Sequence, residues 1–362
     1  MKVGTEMNVL AARIIEQAQT KKDYAMDTRN LRMTPEAMLA FRVKGEEKQV
    51  KPTRLCMDQI GNRVGIPAKY LERMRTEAPA LLASNVNHWF SNKPETRMLR
   101  TLQNGTMQAR AFLSQRYRPF DNYDLMNAVL PRLQDAGCEI KSAELTETRL
   151  YIQAVTPKLE AVIAQRKADG ANHVVGEVND VVQAGIVITN SEVGCGSIKV
   201  EPMIWRLVCR NGLILPSALR RHHVGRAGDG EWTEGDASEL FSDETRKLDD
   251  RAFWAKVNDV VAGSLNQIKF LEAVKKLDAT TKVDVGDPQE AVEVITGHFQ
   301  LAEGESKNVL SHLARGGDLS LWGLVNAVTR TAEDCESYDR AVELERFGGE
   351  VLELPANMFG NN

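Results

Sequence analysis

The sequence predicts an α+β protein, an antiparallel sheet-plus-helix core with helical N-terminal and C-terminal regions. Three observations lead there. Residues 97–156 and 181–216 carry short alternating runs, rich in β-branched and aromatic residues and bounded by glycine turns. Residues 7–22 and 55–90 place apolar side chains at helical spacing. Residues 251–345 do the same through several successive segments.

Val9, Leu10, Ile14 and Ile15 predict the first helix, and Glu6, Arg13 and Glu16 make it amphipathic rather than a signal peptide. LAFRVKG and KQVKP predict a short hairpin within 29–53. Gly65 and Pro67 cut 55–90 into two or three short helices. RMLRTL and MQARAFLS flank Gln103-Asn104-Gly105, a tight-hairpin signal. Asp121 is the predicted N-cap of YDLMNAVLPRLQDAG, with Asp124 in the capping-box position. Pro131 predicts a kink or break in that helix, and Gly137 its end. CEIKSAEL and TRLYIQAVTP predict two strands, and LEAVIAQRKADG within 158–180 a helix and a loop. Strands follow over 181–216, with turns at Gly194 and Gly196 and a second tight turn at Asn211-Gly212. The expected division is a mostly helical 1–92, an α+β core over 93–226, an acidic Gly-rich linker at 227–250, and an acidic helical region over 251–362.

The chain has 362 residues, 43% apolar and 27% charged, ordinary for a globular protein of two or three domains. No apolar run reaches the roughly 18 residues of a membrane span. A cytoplasmic location is expected. The five cysteines are odd in number, and none form a C-x-x-C pair, which suits reduced thiols and gives no structural zinc signature. The net charge of −4 conceals an asymmetry. Residues 1–226 hold 33 Lys+Arg against 23 Asp+Glu, and the rest hold 13 against 27. A basic front points to an anionic partner, although solvated faces of either sign are also common.

Four segments carry candidate chemistry. QIGNRVGIPAKYLERM (59–74) fits a helix-turn-helix reader with Lys69, Tyr70, Arg73 and the following Arg75 on its second helix, or a plain helical core. In RNGLILPSALRRHHVGR, the residues Arg210, Arg220, Arg221, His222, His223 and Arg226 form a cationic run suited to phosphate. A zinc set drawn from Cys195, Cys209, His222 and His223 fits no ligand spacing. In LSQRYRPFDNYDLM (113–126), Arg116 and Arg118 suit backbone phosphates while Tyr117 stacks on a base, with Phe120 and Tyr123 nearby. The competing reading puts Tyr117 and Phe120 in the core and pairs the arginines with Asp121 or Asp124. In ITNSEVGCGS (188–197), Cys195 and its glycines match neither a nucleophile elbow nor a phosphate loop, and a hairpin turn is expected. No catalytic residue, cofactor or metal is assigned.

The strings SQRYRPFDNYDLMNAV, GIVITNSEVGCGSIKVEPMIWRLVCRNGLILP, RRHHVGR and LWGLVNAVTRTAED resemble the domain of unknown function 932 family, a phage- and plasmid-borne group. IPAKYLERM and NVNHWF are similar to its N-terminal portion, so the resemblance covers about residues 55–345. It implies a mobile-element setting and a cytoplasmic protein. Its recurrent positions here are Arg116, Tyr117, Arg118, Asp121, Asn122, Asn190, Ser191, Arg206, Cys209, Asn211, Gly212, His223, Gly225 and Asn326, none with an implied catalytic role.

The leading expectation is a nucleic-acid-binding protein, for single-stranded DNA binding or annealing in recombination, replication or repair. Expected partners are nucleic acid, further copies of the chain, and a host or phage protein at the acidic C-terminal helices; no membrane is expected. Two alternatives stand. One is an interaction protein modulating a host system. The other is a nucleic-acid- or nucleotide-processing enzyme with His223 near Asp121.

Overall fold

The computed structural model describes residues 1–117, 119–169, 175–216, 219–221 and 243–359. The first part holds α1 (Met7–Thr20), β1 (Lys21–Asp27), β2 (Leu31–Met33), β3 (Leu39–Val43), β4 (Glu46–Pro52), α2 (Arg54–Val64), α3 (Ala68–Glu77), α4 (Pro79–Asn92), β5 (Thr96–Asn104) and β6 (Thr106–Ser114). The second holds α5 (Asn122–Asp135), β7 (Glu139–Leu145), β8 (Leu150–Asp169), β9 (Val175–Asn190), β10 (Ile198–Arg206), β11 (Asn211–Ile214) and β12 (Leu219–Arg221). The third is helical: α6 (Asp243–Ser264), α7 (Gln267–Thr280), α8 (Pro288–Phe299), α9 (Glu303–Gly316), α10 (Leu321–Thr331) and α11 (Tyr338–Val351). This is the α+β class expected, and no helix among the described residues is long and apolar enough to cross a membrane.

The first sheet runs β1-β5-β6-β4-β3-β2, antiparallel except between β4 and β6. The β5–β6 hairpin turns at Asn104-Gly105 as predicted, but it sits at the centre of this sheet. Residues 1–92 hold the expected helices but are not a separate unit, because their strands pair with β5 and β6. Three helices cover one face: Leu99, Ala109 and Phe112 of the sheet pack with Ile60, Leu71, Leu82, Val86 and Phe90.

The second sheet runs β11-β10-β9-β8-β7, with β12 beside β10. Alternation along its strands feeds two cores. Ile152, Ala154, Ile186, Ile188, Ile198 and Val200 join Leu125, Val129 and Val257 of α5 and α6. Tyr151, Val155, Val187, Met203 and Trp205 join Tyr338 and Val342 of α11. The helices α7–α11 pack with Ile163, Val182 and Leu213. Two buried ion pairs fasten them. Asp180 accepts from Arg206 Nε at 2.6 Å and from Trp322 Nε1 at 2.9 Å. Arg346 forks onto Glu201 at 2.6 and 3.0 Å.

Several local expectations are corrected. Residues 159–169 continue β8 rather than forming a helix. Leu159, Ala161 and Ile163 turn toward the helical core while Val162 stays 54% exposed, a period of two that a count of apolar residues overlooks. Asn211 and Gly212 are not a turn; they pair with Arg206 and Trp205, and residues 207–210 make the turn. Helix α5 runs unbroken through Pro131, which sits on its exposed side. There the carbonyl that loses its partner can turn to water. Residues 243–250, expected in a linker, open α6, and 222–242 lie outside the described residues.

Glu345 of α11 is 1% exposed; its Oε2 accepts from Gln153 Nε2 at 2.6 Å and its Oε1 has no partner. Burial pushes its carboxyl up to about 7, from an ordinary 4.5. The folded state then holds a proton that the unfolded state has lost, so stability falls as pH rises from about 4.5 to about 7 and stays lowered above it. Glu345→Gln keeps the shape and removes the charge. Its urea midpoint should rise above wild type at pH 8, by on the order of 2–3 kcal/mol of stability, and match wild type at pH 4.5.

Candidate nucleic-acid interface

The stretch around Tyr117 and the loop after β9 meet between the two sheets, around Arg100 of β5. This guanidinium is 3% exposed. Its Nε donates to Asp23 of β1 at 3.0 Å, Nη1 to the Glu192 carbonyl at 2.8 Å, and Nη2 to Asp121 at 2.8 Å. Burial opposes its charge, but Asp23 and Asp121 outweigh that and hold its pKa above the usual arginine value. Burial would likewise raise Asp121; Arg100 and Lys21 more than offset it and hold the carboxyl below its ordinary range.

Asp121 therefore has no side chain left for capping. It occupies the N-cap position of α5 without a side-chain cap bond. Glu192, 70 residues away, takes over: its Oε1 accepts from Asn122 N at 2.6 Å, while its Oε2 accepts from Arg110 at 2.9 Å. Asn190 Nδ2 adds bonds to the Phe120 carbonyl at 2.8 Å and Asn122 Oδ1 at 2.9 Å. From the first sheet, Gln59 donates to the Val193 carbonyl at 2.8 Å and accepts from Phe112 N at 2.7 Å. Gly194 has φ 81, which favours glycine, and a Cβ there would press on the end of the Leu113 side chain at 2.6 Å.

The predicted site residues divide. Tyr117 is not offered to a base: it is 6% exposed, packs with Leu113 and Val193, and donates its hydroxyl to the Ser191 carbonyl at 2.9 Å. Phe120 is buried too, 5.1 Å from Phe253 between ring centres. Arg116 is exposed, and so is Tyr123 at 42%. Arg220 and Arg221 lie on β12, with Lys199 and Ile198 as their cross-strand partners. Arg118, His222, His223 and Arg226 lie outside the described residues. Arg210 separates from the others. It follows β10, whereas β12 lies at the start of β10, roughly 20–25 Å of strand away.

Cys195 and Cys209 likewise stand before and after β10, which keeps that zinc set apart. Among the described residues no group of three or more His, Cys, Asp or Glu could hold a metal. Burial raises the Cys195 thiol, the wrong direction for a nucleophile. On α3, Arg73 pairs with Glu77 and Arg75 with Glu72, so both arginines of the helix-turn-helix reading already have carboxylate partners.

Residues 110–343, which contain part of this joint, match the family described as Domain of unknown function (DUF932). The chain belongs to that family. No curated protein and no solved structure matches it. In this DUF932 protein the matched region begins at Arg110, so it takes in Glu192 and its partners on α5 and β6 but not Arg100 or Asp23.

Lys199 was not singled out in the sequence, although the S-I-K-V alternation that buries Ile198 and Val200 turns it to the other face. Arg100 gave no sequence signal, because its acceptors lie 77, 21 and 92 residues away. Arg100→Met should destabilise the fold by about 3–5 kcal/mol, since it removes the buried donor shared by Asp23, Asp121 and the Glu192 carbonyl, although Asp121 keeps Lys21. Arg116→Ala, at an exposed position, should cost within about 0.5 kcal/mol. Urea unfolding of both variants checks the contrast.

Proposed function

We propose that this protein binds single-stranded nucleic acid, DNA by preference, as an annealing or strand-protecting factor of a phage or plasmid. One observation carries the reading. Both cationic segments flank the same stretch of chain, Ser191–Lys199: the first through the Tyr117–Ser191 bond, the second through the β12 ladder to Ile198–Val200. Exposed Arg116 and the Arg220–Arg221 segment then stand toward the two ends of that stretch, an arrangement suited to successive phosphates rather than to one small anion. Tyr123, exposed in the first turn of α5, replaces Tyr117 as the ring offered to a base. The acidic C-terminal helices keep duplex and non-specific anions off the remaining surface.

The test is fluorescence anisotropy with labelled single- and double-stranded oligonucleotides over a salt series, with mass photometry on the same samples. Affinity should fall steeply with salt and favour single strands, on an oligomer. Arg116→Ala and Arg221→Ala should each weaken binding and reduce the log–log salt slope by about 0.7. Arg210→Ala, on the far turn, should change neither. Unaltered binding in both correctly folded variants, or none in low salt, overturns the proposal.

A further inference from the structure

A second feature lies away from that surface. The β8–β9 ladder shifts register twice, and at the larger shift Thr156 faces Ala184 and Glu160 faces Gln183, so Pro157, Lys158 and Leu159 have no cross-strand partners. Bulges redirect side chains. This one carries Lys158 over the end of α5, where Gly137 has φ 68 and a Cβ would sit 2.6 Å from the lysine Nζ. Lys158 is exposed, and no ion pair holds it among the described residues. Arg132, also exposed, lies 3.9 Å from Asp135 on the same cleft, while Lys158 reaches over the carbonyl end of α5.

Lys158 borders a cleft of about 550 Å³ between the end of α5, the bulge and the α6–α7 joint. That volume falls in the range of about 300–1,000 Å³ that small ligands fill. Leu159, Val261, Ala262 and Leu265 give it an apolar floor, and Asn258, Asn266 and Gln267 supply side-chain amides. Asn266 Oδ1 caps α7 by accepting from Ile268 N and Lys269 N, which leaves its NH₂ to donate. Asn258 Oδ1 is buried with no partner, so turning that amide toward a ligand N–H breaks no existing bond to the oxygen. Amides of this kind match a base edge that carries a donor and an acceptor together, adenine best of all. Lys158 favours a negative group at the rim.

We propose that this cleft binds an adenine nucleotide unit, with phosphate at Lys158, base on the apolar floor and base edge on the amides. The site is distinct from the strand surface. Thr156 faces Ala184, six residues along β9 from Asn190, about 20 Å. The cleft also lies at the opposite end of α5 from Asp121. The nucleotide comes either free or as a residue of a nucleic-acid strand.

The probes are adenosine monophosphate, adenosine, uridine monophosphate and inorganic phosphate, read by isothermal titration calorimetry on the full chain. Adenosine monophosphate should bind most tightly. Lys158→Glu should weaken it at least about tenfold, and Ala262→Trp should abolish it by filling the cleft. Both positions are exposed, so both variants should fold, which circular dichroism checks. Displacement of the nucleotide by a single-stranded oligonucleotide identifies a strand residue as its source; binding of both together identifies a free nucleotide. No heat with any probe at millimolar concentration, or affinity untouched by both variants, overturns the proposal. Loss of strand binding in Arg221→Ala with nucleotide binding intact keeps the two sites apart.

Discussion

The fold is organised around one buried guanidinium. Placing Arg100 out of water costs several kcal/mol, and only a full set of well-aimed acceptors offsets it. Here they come from three separated parts of the chain: β1, the start of α5, and the loop after β9. A shift of any of these takes an acceptor from the buried guanidinium. The second sheet is thereby held against the first with a fixed orientation. The loop of residues 191–197 is held between them, with Gly194 at φ 81 against the end of Leu113.

The demands of that charge spread outward. Asp121 serves Arg100 and Lys21 rather than its own helix, and Glu192 caps α5 instead. The same glutamate draws in Arg110 from β6. Asp124, exposed in the first turn of α5, sits beside other acids: desolvation raises its carboxyl, and Asp121, Glu192 and Asp250 raise it further against the opposing pull of Lys21. A stretch that reads as a helix start with flanking cations is, in three dimensions, the seam between two sheets.

This explains what the sequence could and could not disclose. Local chemistry was readable: the Asn104-Gly105 hairpin, the α5 stop at Gly137 and the amphipathic α1 each depend on neighbours within a few residues. Sheet membership was not readable, since the strands on either side of α5 are alike in composition yet belong to different sheets. The capping exchange was invisible for the same reason, because an acceptor 70 residues away competes with a local one. At the candidate site the exposed Arg116 was legible as a surface cation. Tyr117 was misjudged because its partner, the Ser191 carbonyl, is a backbone atom that carries no sequence mark. The second half of β8, residues 159–169, was mistaken for a helix because alanine and leucine suit both, and only burial on alternate residues separates them.

If the seam fixes one nucleic-acid surface, a bound strand should touch both cationic segments at once. Photo-crosslinking with a 5-iodouracil-substituted single strand, followed by peptide mass spectrometry, tests this most directly. The account predicts crosslinks in the peptides around Arg116–Tyr123 and around Arg220–Arg221 from the same oligonucleotide. Crosslinks confined to α7–α11, or to the turn bearing Arg210, would contradict it.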